Sequence, residues 1–200
     1  MIINTIFPTP VAFFKYEEGL SAETMDFLTN QKLVPNGGNY RSEDTYILKH
    51  KCLENLTAYI EKCIDEYFKT IYNPSTDVEL RLTQSWLNYS NTNQWHHIHA
   101  HPSSFISGCY YVNANPLTDM IHFQKSGYRL IEFMPKEWNL YNSESWSFPV
   151  CTGDIVLFPS DLQHKVEPVQ GSETRISLAF NTFPVGHFGD KDSLTEIYLK

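Results

Sequence analysis

Residues 153–180 read GDIVLFPSDLQHKVEPVQGSETRISLAF. Short runs of β-branched and aromatic residues bounded by Gly, Pro, Asp and Ser are the pattern of strands separated by tight connections. The runs fall at 155–158, 164–168 and 174–183, and working outward the same texture recurs at 82–89, 105–113 and 120–124. Many short strands with turn signals between them predict an antiparallel sandwich or barrel. If 169–172 form a hairpin turn, Pro168 pairs with Glu173, Val166 with Arg175 and His164 with Ser177, which puts His164, Arg175 and Ser177 on one face.

The chain before residue 76 has a different period. Leu53, Leu56, Ile60, Cys63, Ile64, Tyr67, Phe68 and Ile71 recur every three or four residues, so 51–72 reads as an amphipathic helix that Asn73-Pro74 ends. Ser21 opens a shorter helix, and Pro8 and Pro10 confine any strand in 1–16 to a sheet edge. Residues 125–150 show no clear period and are expected to form an irregular lid. No composition shift marks a linker, so one domain is expected: an N-terminal strand and helices over 1–75, a β core over 76–185 and a tail over 186–200.

A formal charge of −8 argues against non-specific binding to phosphate backbones. Cys52, Cys63, Cys109 and Cys151 form no C-x-x-C pair, and 200 residues can bury a core without disulfides. With no export signal and no apolar run near the ~20 residues that span a bilayer, a cytoplasmic protein without membrane contact is expected.

Chemistry concentrates in WHHIHAHP, residues 95–102, with His122 further along. On an extended backbone alternate side chains share a face, so His97, His99 and His101 point together and two imidazoles can chelate one metal. The alternative is a polar loop that happens to be histidine-rich, but four histidines within six residues favour metal binding. His164 offers a third, distant ligand. Arg175, a planar bidentate donor, suits a dicarboxylate. Asp119, Asp154 and Asp161 are carboxylates without defensible ligand spacing, and Trp95, Trp138 and Trp146 could line a groove or pack in the core. There is no G-x-S-x-G elbow and no glycine-rich phosphate loop.

The order H-x-H, distant His, then Arg-x-Ser resembles the Fe(II)- and 2-oxoglutarate-dependent oxygenases, in particular a prolyl-hydroxylase-like branch found in bacteria and marine phages. The likeness rests on His99-Ala-His101-Pro102 leading into Ser107-Gly108-Cys109-Tyr110-Tyr111, on Gly153–Ser160 with His164, and on Arg175-Ile-Ser177 running to Asn181. It implies an α+β, mainly β protein: a double-stranded β-helix of the jelly-roll or cupin kind, with N-terminal helices packed on the sheet. It further implies Fe(II) held by His99, His101 and His164, and 2-oxoglutarate anchored by Arg175 with help from Ser177 and Tyr111. The reaction implied is hydroxylation of an unactivated C–H bond with release of succinate and carbon dioxide. The middle ligand departs from the family, which normally has Asp or Glu where His101 stands, and His97 with His99 is an alternative pair. A peptidyl side chain is preferred over a small metabolite as substrate, and a homodimer is among the assemblies open to the chain. The competing readings are a three-histidine cupin enzyme that does not use 2-oxoglutarate, and a non-catalytic jelly-roll binding module.

Overall fold

The structure is a computed structural model that describes residues 1–127, 131 and 134–200. In chain order its elements are β1 (Ala12–Lys15), α1 (Ala22–Thr29), β2 (Leu33–Pro35), β3 (Tyr40–Ser42), α2 (Glu54–Ile71), β4 (Val78–Ser90), β5 (His96–His99), β6 (Ile106–Asn113), β7 (Met120–Gln124), β8 (Ser145–Pro149), β9 (Asp154–Pro159), β10 (Gln163–Val166), β11 (Arg175–Phe188) and β12 (Ile197–Leu199). They form a large sheet in the order β1-β9-β6-β11-β4-β3-β2, with β12 added to β11, and a small sheet in the order β5-β10-β7-β8. Every pairing between strands is antiparallel. This is the α+β, mainly β double-stranded β-helix.

The large sheet is covered on both faces, which explains why its central strands are apolar almost throughout rather than alternating. One face packs on the helices: Leu56, Ile60, Cys63, Ile64, Tyr67 and Phe68 of α2 are buried with Leu87, Tyr110, Leu157, Leu178 and Phe180. Each such aliphatic side chain contributes about 1.5–3 kcal/mol when fully removed from water. The other face meets the small sheet through Tyr111, Ile121, Phe123, Val156 and Phe158. Helix α1 begins where expected, with the Ser21 hydroxyl accepting from the Thr24 amide at 3.1 Å. Strand β1 lies at a sheet edge, where the prolines before it cost no ladder bond.

Four expectations are corrected. First, β10 and β11 do not form a hairpin: β10 pairs with β5 and β7 in the small sheet, and β11 with β4 and β6 in the large one. The connection between them crosses from sheet to sheet, so His164 and Ser177 are not cross-strand neighbours. Second, 125–150 is not irregular throughout, because β8 runs antiparallel to β7 from Met120–Pro149 to Gln124–Ser145. The part of that lid at 128–130 and 132–133 lies outside the described residues. Third, β11 continues through Phe188 and β12 folds back on it, so 186–200 is more than a tail. Fourth, His97, His99 and His101 do not lie along one regular strand. His164 pairs with His99 but Val166 pairs with His96, so three residues of β5 oppose two steps of β10. This extra residue is a β-bulge, and it brings His96 beside His99, with ring centroids 4.5 Å apart. His101 lies beyond the strand, in the segment leading to β6.

Candidate active site

A cleft of about 590 Å³, counting its open mouth, lies between the two sheets. The small sheet contributes His96, His99, His164 and Ile121; the large sheet contributes Trp86, Asn88, Ser90, Tyr111, Phe158, Arg175 and Ser177, and His101 joins from the β5–β6 connection. The structure therefore brings all six sequence-derived site residues into one cavity. It does so by facing β10 against β11 across the gap, not by pairing them.

His99, His101 and His164 offer nitrogen atoms that all lie within 4.8 Å of one another. The hydrogen bonds decide which nitrogens face inward. His99 Nδ1 is 2.8 Å from the His97 carbonyl, His164 Nδ1 is 3.0 Å from the Leu162 carbonyl, and His101 Nδ1 is 2.6 Å from Asn181 Oδ1. Each acceptor calls for a proton on Nδ1, which leaves each Nε2 with a free lone pair. Asn181 is itself oriented, since its Oδ1 also accepts from the Ser107 hydroxyl at 2.8 Å. The Nε2 atoms of His99 and His101 stand only 3.1 Å apart. Two lone pairs at that distance repel unless a cation sits between them. Trp86 lies tilted beside His101 at 5.6 Å between ring centroids, and Phe158 flanks His164 at 4.7 Å.

Burial holds all these rings neutral. It pushes His164 down to about 3 and His101 to about 4, with neighbouring rings adding to the effect; His96 goes to about 3 and His99 is also lowered. An unfolded histidine titrates near 6.5, so between pH 7 and 5 the unfolded chain takes up protons that the folded, metal-free protein refuses. Stability is then expected to fall with pH by about 2 kcal/mol per buried ring at pH 5. Urea midpoints of metal-stripped protein at the two pH values measure this, and equal midpoints would contradict it.

Arg175 is 4% exposed. Its Nη2 is 3.5 Å from the Tyr111 hydroxyl and its guanidinium stacks 5.3 Å from that ring, while its Nε has no hydrogen-bond partner. No Asp or Glu lines the cleft among the described residues. The three aspartates considered as ligands are elsewhere: Asp154 pairs with Lys15 at 3.0 Å, Asp119 accepts the Asn115 amide at 2.8 Å, and Asp161 is exposed. A buried guanidinium with an unused donor in an acid-free cleft fits a dicarboxylate, and three neutral imidazoles fit a divalent ion of intermediate softness. Gly108, on β6, is required by packing: a Cβ there would sit 2.3 Å from Phe180 Cζ.

Other candidates fall outside. His122 bonds Ser147 at 2.5 Å, Trp95 stands 44% exposed, and Trp138 and Trp146 line a separate shallow depression. Sequence reading missed Trp86, Asn88 and Ser90, although their i, i+2, i+4 spacing on one strand is the signal for a shared face. It also missed Asn39 and His96, which only the bulge and the β2–β3 hairpin bring to the cleft.

A jelly roll whose two sheets enclose clustered imidazoles and a buried arginine has side chains suited to a metal ion and an anion in one cleft. Residues 84–181 match the family described as "Putative 2OG-Fe(II) oxygenase", and through them the chain belongs to the Fe(II)- and 2-oxoglutarate-dependent oxygenases, whose cofactors are Fe(II) and 2-oxoglutarate. Among solved structures it is similar to HygX from Streptomyces hygroscopicus with nickel, 2-oxoglutarate and hygromycin B bound, at 12% identity and TM-score 0.60, covering 88% of this chain and 83% of that one. A Pseudomonas putida prolyl-4-hydroxylase gives 12% identity and TM-score 0.56 over 88% and 92%. A 2OG-Fe(II) oxygenase family oxidoreductase from Burkholderia pseudomallei gives 10% and 0.58 over 86% and 84%. No curated protein sequence matches the chain. No helix among the described residues is long and apolar enough to cross a membrane.

Proposed function

We propose that His99, His101 and His164 hold Fe(II) through their Nε2 atoms, and that Arg175, with Ser177 and Tyr111, receives the distal carboxylate of 2-oxoglutarate. The observation that carries this reading is the buried Arg175 guanidinium with its unpartnered Nε, set in the same acid-free cleft as three converging imidazole lone pairs. A charge removed from water costs several kcal/mol unless it is paired, and a dianion would supply the pair. The cupin reading, without 2-oxoglutarate, leaves that donor unused.

When bound, Fe(II), 2-oxoglutarate and dioxygen supply the oxidative decarboxylation that yields succinate, carbon dioxide and an oxidant able to attack a C–H bond. The chain's own groups prepare for this. The Nδ1–H bonds to His97, Leu162 and Asn181 fix the tautomer and aim of each ring. Tyr111 and Ser177 flank the carboxylate position, and Tyr111 is kept protonated by complete burial. Phe158, Ile121 and Ala179 line the cleft with apolar surface that excludes water from the cosubstrate.

The reaction is read as hydroxylation by one domain spanning 1–200 acting in the cytoplasm. A peptidyl side chain is the preferred substrate, supported by the likeness to a prolyl-4-hydroxylase; a small molecule is the alternative, supported by the likeness to an enzyme with hygromycin B bound.

The test is an anaerobic titration of metal-stripped protein with Fe(II), then 2-oxoglutarate. A weak visible charge-transfer band is expected when the keto acid chelates the metal. Iron binding without the band would transfer the reading to the cupin type, and no iron binding would leave only a binding module.

A further inference from the structure

We propose that His96, His97 and His99 form an outer metal site that captures the divalent ion and hands it inward through the shared His99. Two groups of three histidines meet the geometric requirement for one ion each: His96, His97 and His99, and His99, His101 and His164, with nitrogens in each group within 4.8 Å. The two groups have nearly the same dimensions. Ring centroids in the outer group are 4.6, 4.5 and 5.2 Å apart, and in the inner group 5.0, 4.3 and 5.0 Å.

They differ in access. His97 is exposed, His96 and His99 are half-buried, and His164 is 9% exposed. His96 also presents a usable atom. Asn39 donates its amide to Ser90 Oγ at 3.1 Å, so its Oδ1 accepts, and His96 Nδ1 lies 3.3 Å from that oxygen, nearer than the Asn36 amide nitrogen at 3.5 Å, which is already engaged with Asn88 Oδ1. The proton belongs on Nδ1, and the Nε2 lone pair of His96 is free. The β5 bulge is what sets His96 beside His99; without it the two would point to opposite faces.

A hydrated divalent ion entering the inner site directly would lose most of its water in one step before its ligands had closed on it. The outer group divides that cost. His99 has a single free Nε2, so both groups cannot be filled at once. His96 and His97 release the ion as His101 and His164 take it, and the number of imidazole bonds is conserved with no change of oxidation state and no proton transfer.

This inference rests on the inner histidines being the resident site. The probe is Co(II), mixed with metal-free protein in a stopped-flow instrument and followed by its d–d absorption and by tryptophan fluorescence. In His97→Ala the loading rate constant should fall about tenfold while equilibrium affinity stays within about twofold. His101→Ala/His164→Ala should still bind one Co(II) weakly, and adding His97→Ala should abolish that binding. An unchanged loading rate in His97→Ala, a parallel loss of equilibrium affinity, or no Co(II) on the double variant would each overturn the outer site. Unchanged equilibrium affinity in the double variant would instead overturn the inner assignment. His97→Asn serves as a second variant, and its exposed position leaves the fold intact.

Discussion

Replacing Arg175 by methionine is expected to weaken 2-oxoglutarate binding by about 30- to 1000-fold while leaving Fe(II) affinity and thermal stability intact. Loss of a bidentate, charge-assisted contact inside a closed site costs about 2–4 kcal/mol, and that range converts directly to the affinity loss. Stability responds differently. In the cofactor-free protein the guanidinium is 4% exposed, bonds the Tyr111 hydroxyl and, among the described residues, leaves Nε unbonded. No carboxylate among the described residues forms an ion pair with it, and an apolar side chain of similar length removes its desolvation cost without opening a cavity. The melting temperature of the variant should equal or exceed that of the parent. Adding 2-oxoglutarate at about 100 times the parent's dissociation constant should stabilise the parent by about 2.7 kcal/mol and the variant by less than about 1 kcal/mol. Arg175→Lys keeps the charge but not the fork, and should fall between the two. Calorimetric titration and thermal melts read both quantities. A methionine variant that binds 2-oxoglutarate as the parent does would show that Arg175 does not anchor its distal carboxylate.

That Arg175 could be singled out before any coordinates reflects what a sequence records well. Local texture gave the strands and the long helix, because period two and period 3.6 are properties of single segments. The distal pair His164 and Arg175 stood out because imidazole and guanidinium are rare in apolar strands. Pairing was less legible. A hairpin between β10 and β11 satisfies every local rule, yet each strand finds better partners in a different sheet, and the choice depends on surfaces contributed by β4, β5, β6 and β7. The β5 bulge is also silent in the sequence. WHHIHAHP alternates as an ordinary strand would, and only the register against β10 reveals the extra residue that brings His96 beside His99. Strand β8 was hidden for a related reason: SWSFP is too short and too polar to announce itself until β7 offers an edge. Tyr110 and Tyr111 alternate as the sequence implies, but both are buried, one against the helices and one between the sheets, because the sheet is covered on both sides.

Position 101 separates the histidine reading from the carboxylate more common in this family, and it carries the second large effect. His101→Ala is expected to lower Fe(II) affinity by about 100-fold or more, since one of three protein ligands disappears and the ordered Asn181 and Ser107 oxygens behind it cannot reach forward to replace it. His101→Asp should recover a large part of that loss, because a carboxylate is a competent iron ligand, yet it should bind 2-oxoglutarate less tightly than the parent. The reason is charge. Three neutral imidazoles leave a divalent ion at +2 and one carboxylate lowers it to +1, so with Arg175 in the same cleft the dianionic cosubstrate meets a summed charge of +2 instead of +3 and is attracted less strongly. Asn181→Leu removes the nearer of the two partners of His101 Nδ1 and leaves the Ser107 hydroxyl at 2.8 Å without the amide oxygen that orients it, so the ring is held less firmly and the affinity for metal should drop about 10-fold without any ligand being lost. Equilibrium dialysis with Fe(II) under anaerobic conditions, repeated with 2-oxoglutarate present, orders the variants. If His101→Ala retained the parent's affinity for Fe(II), the middle position would belong to another side chain, and His96, whose free Nε2 faces the same cleft, would be the first to examine.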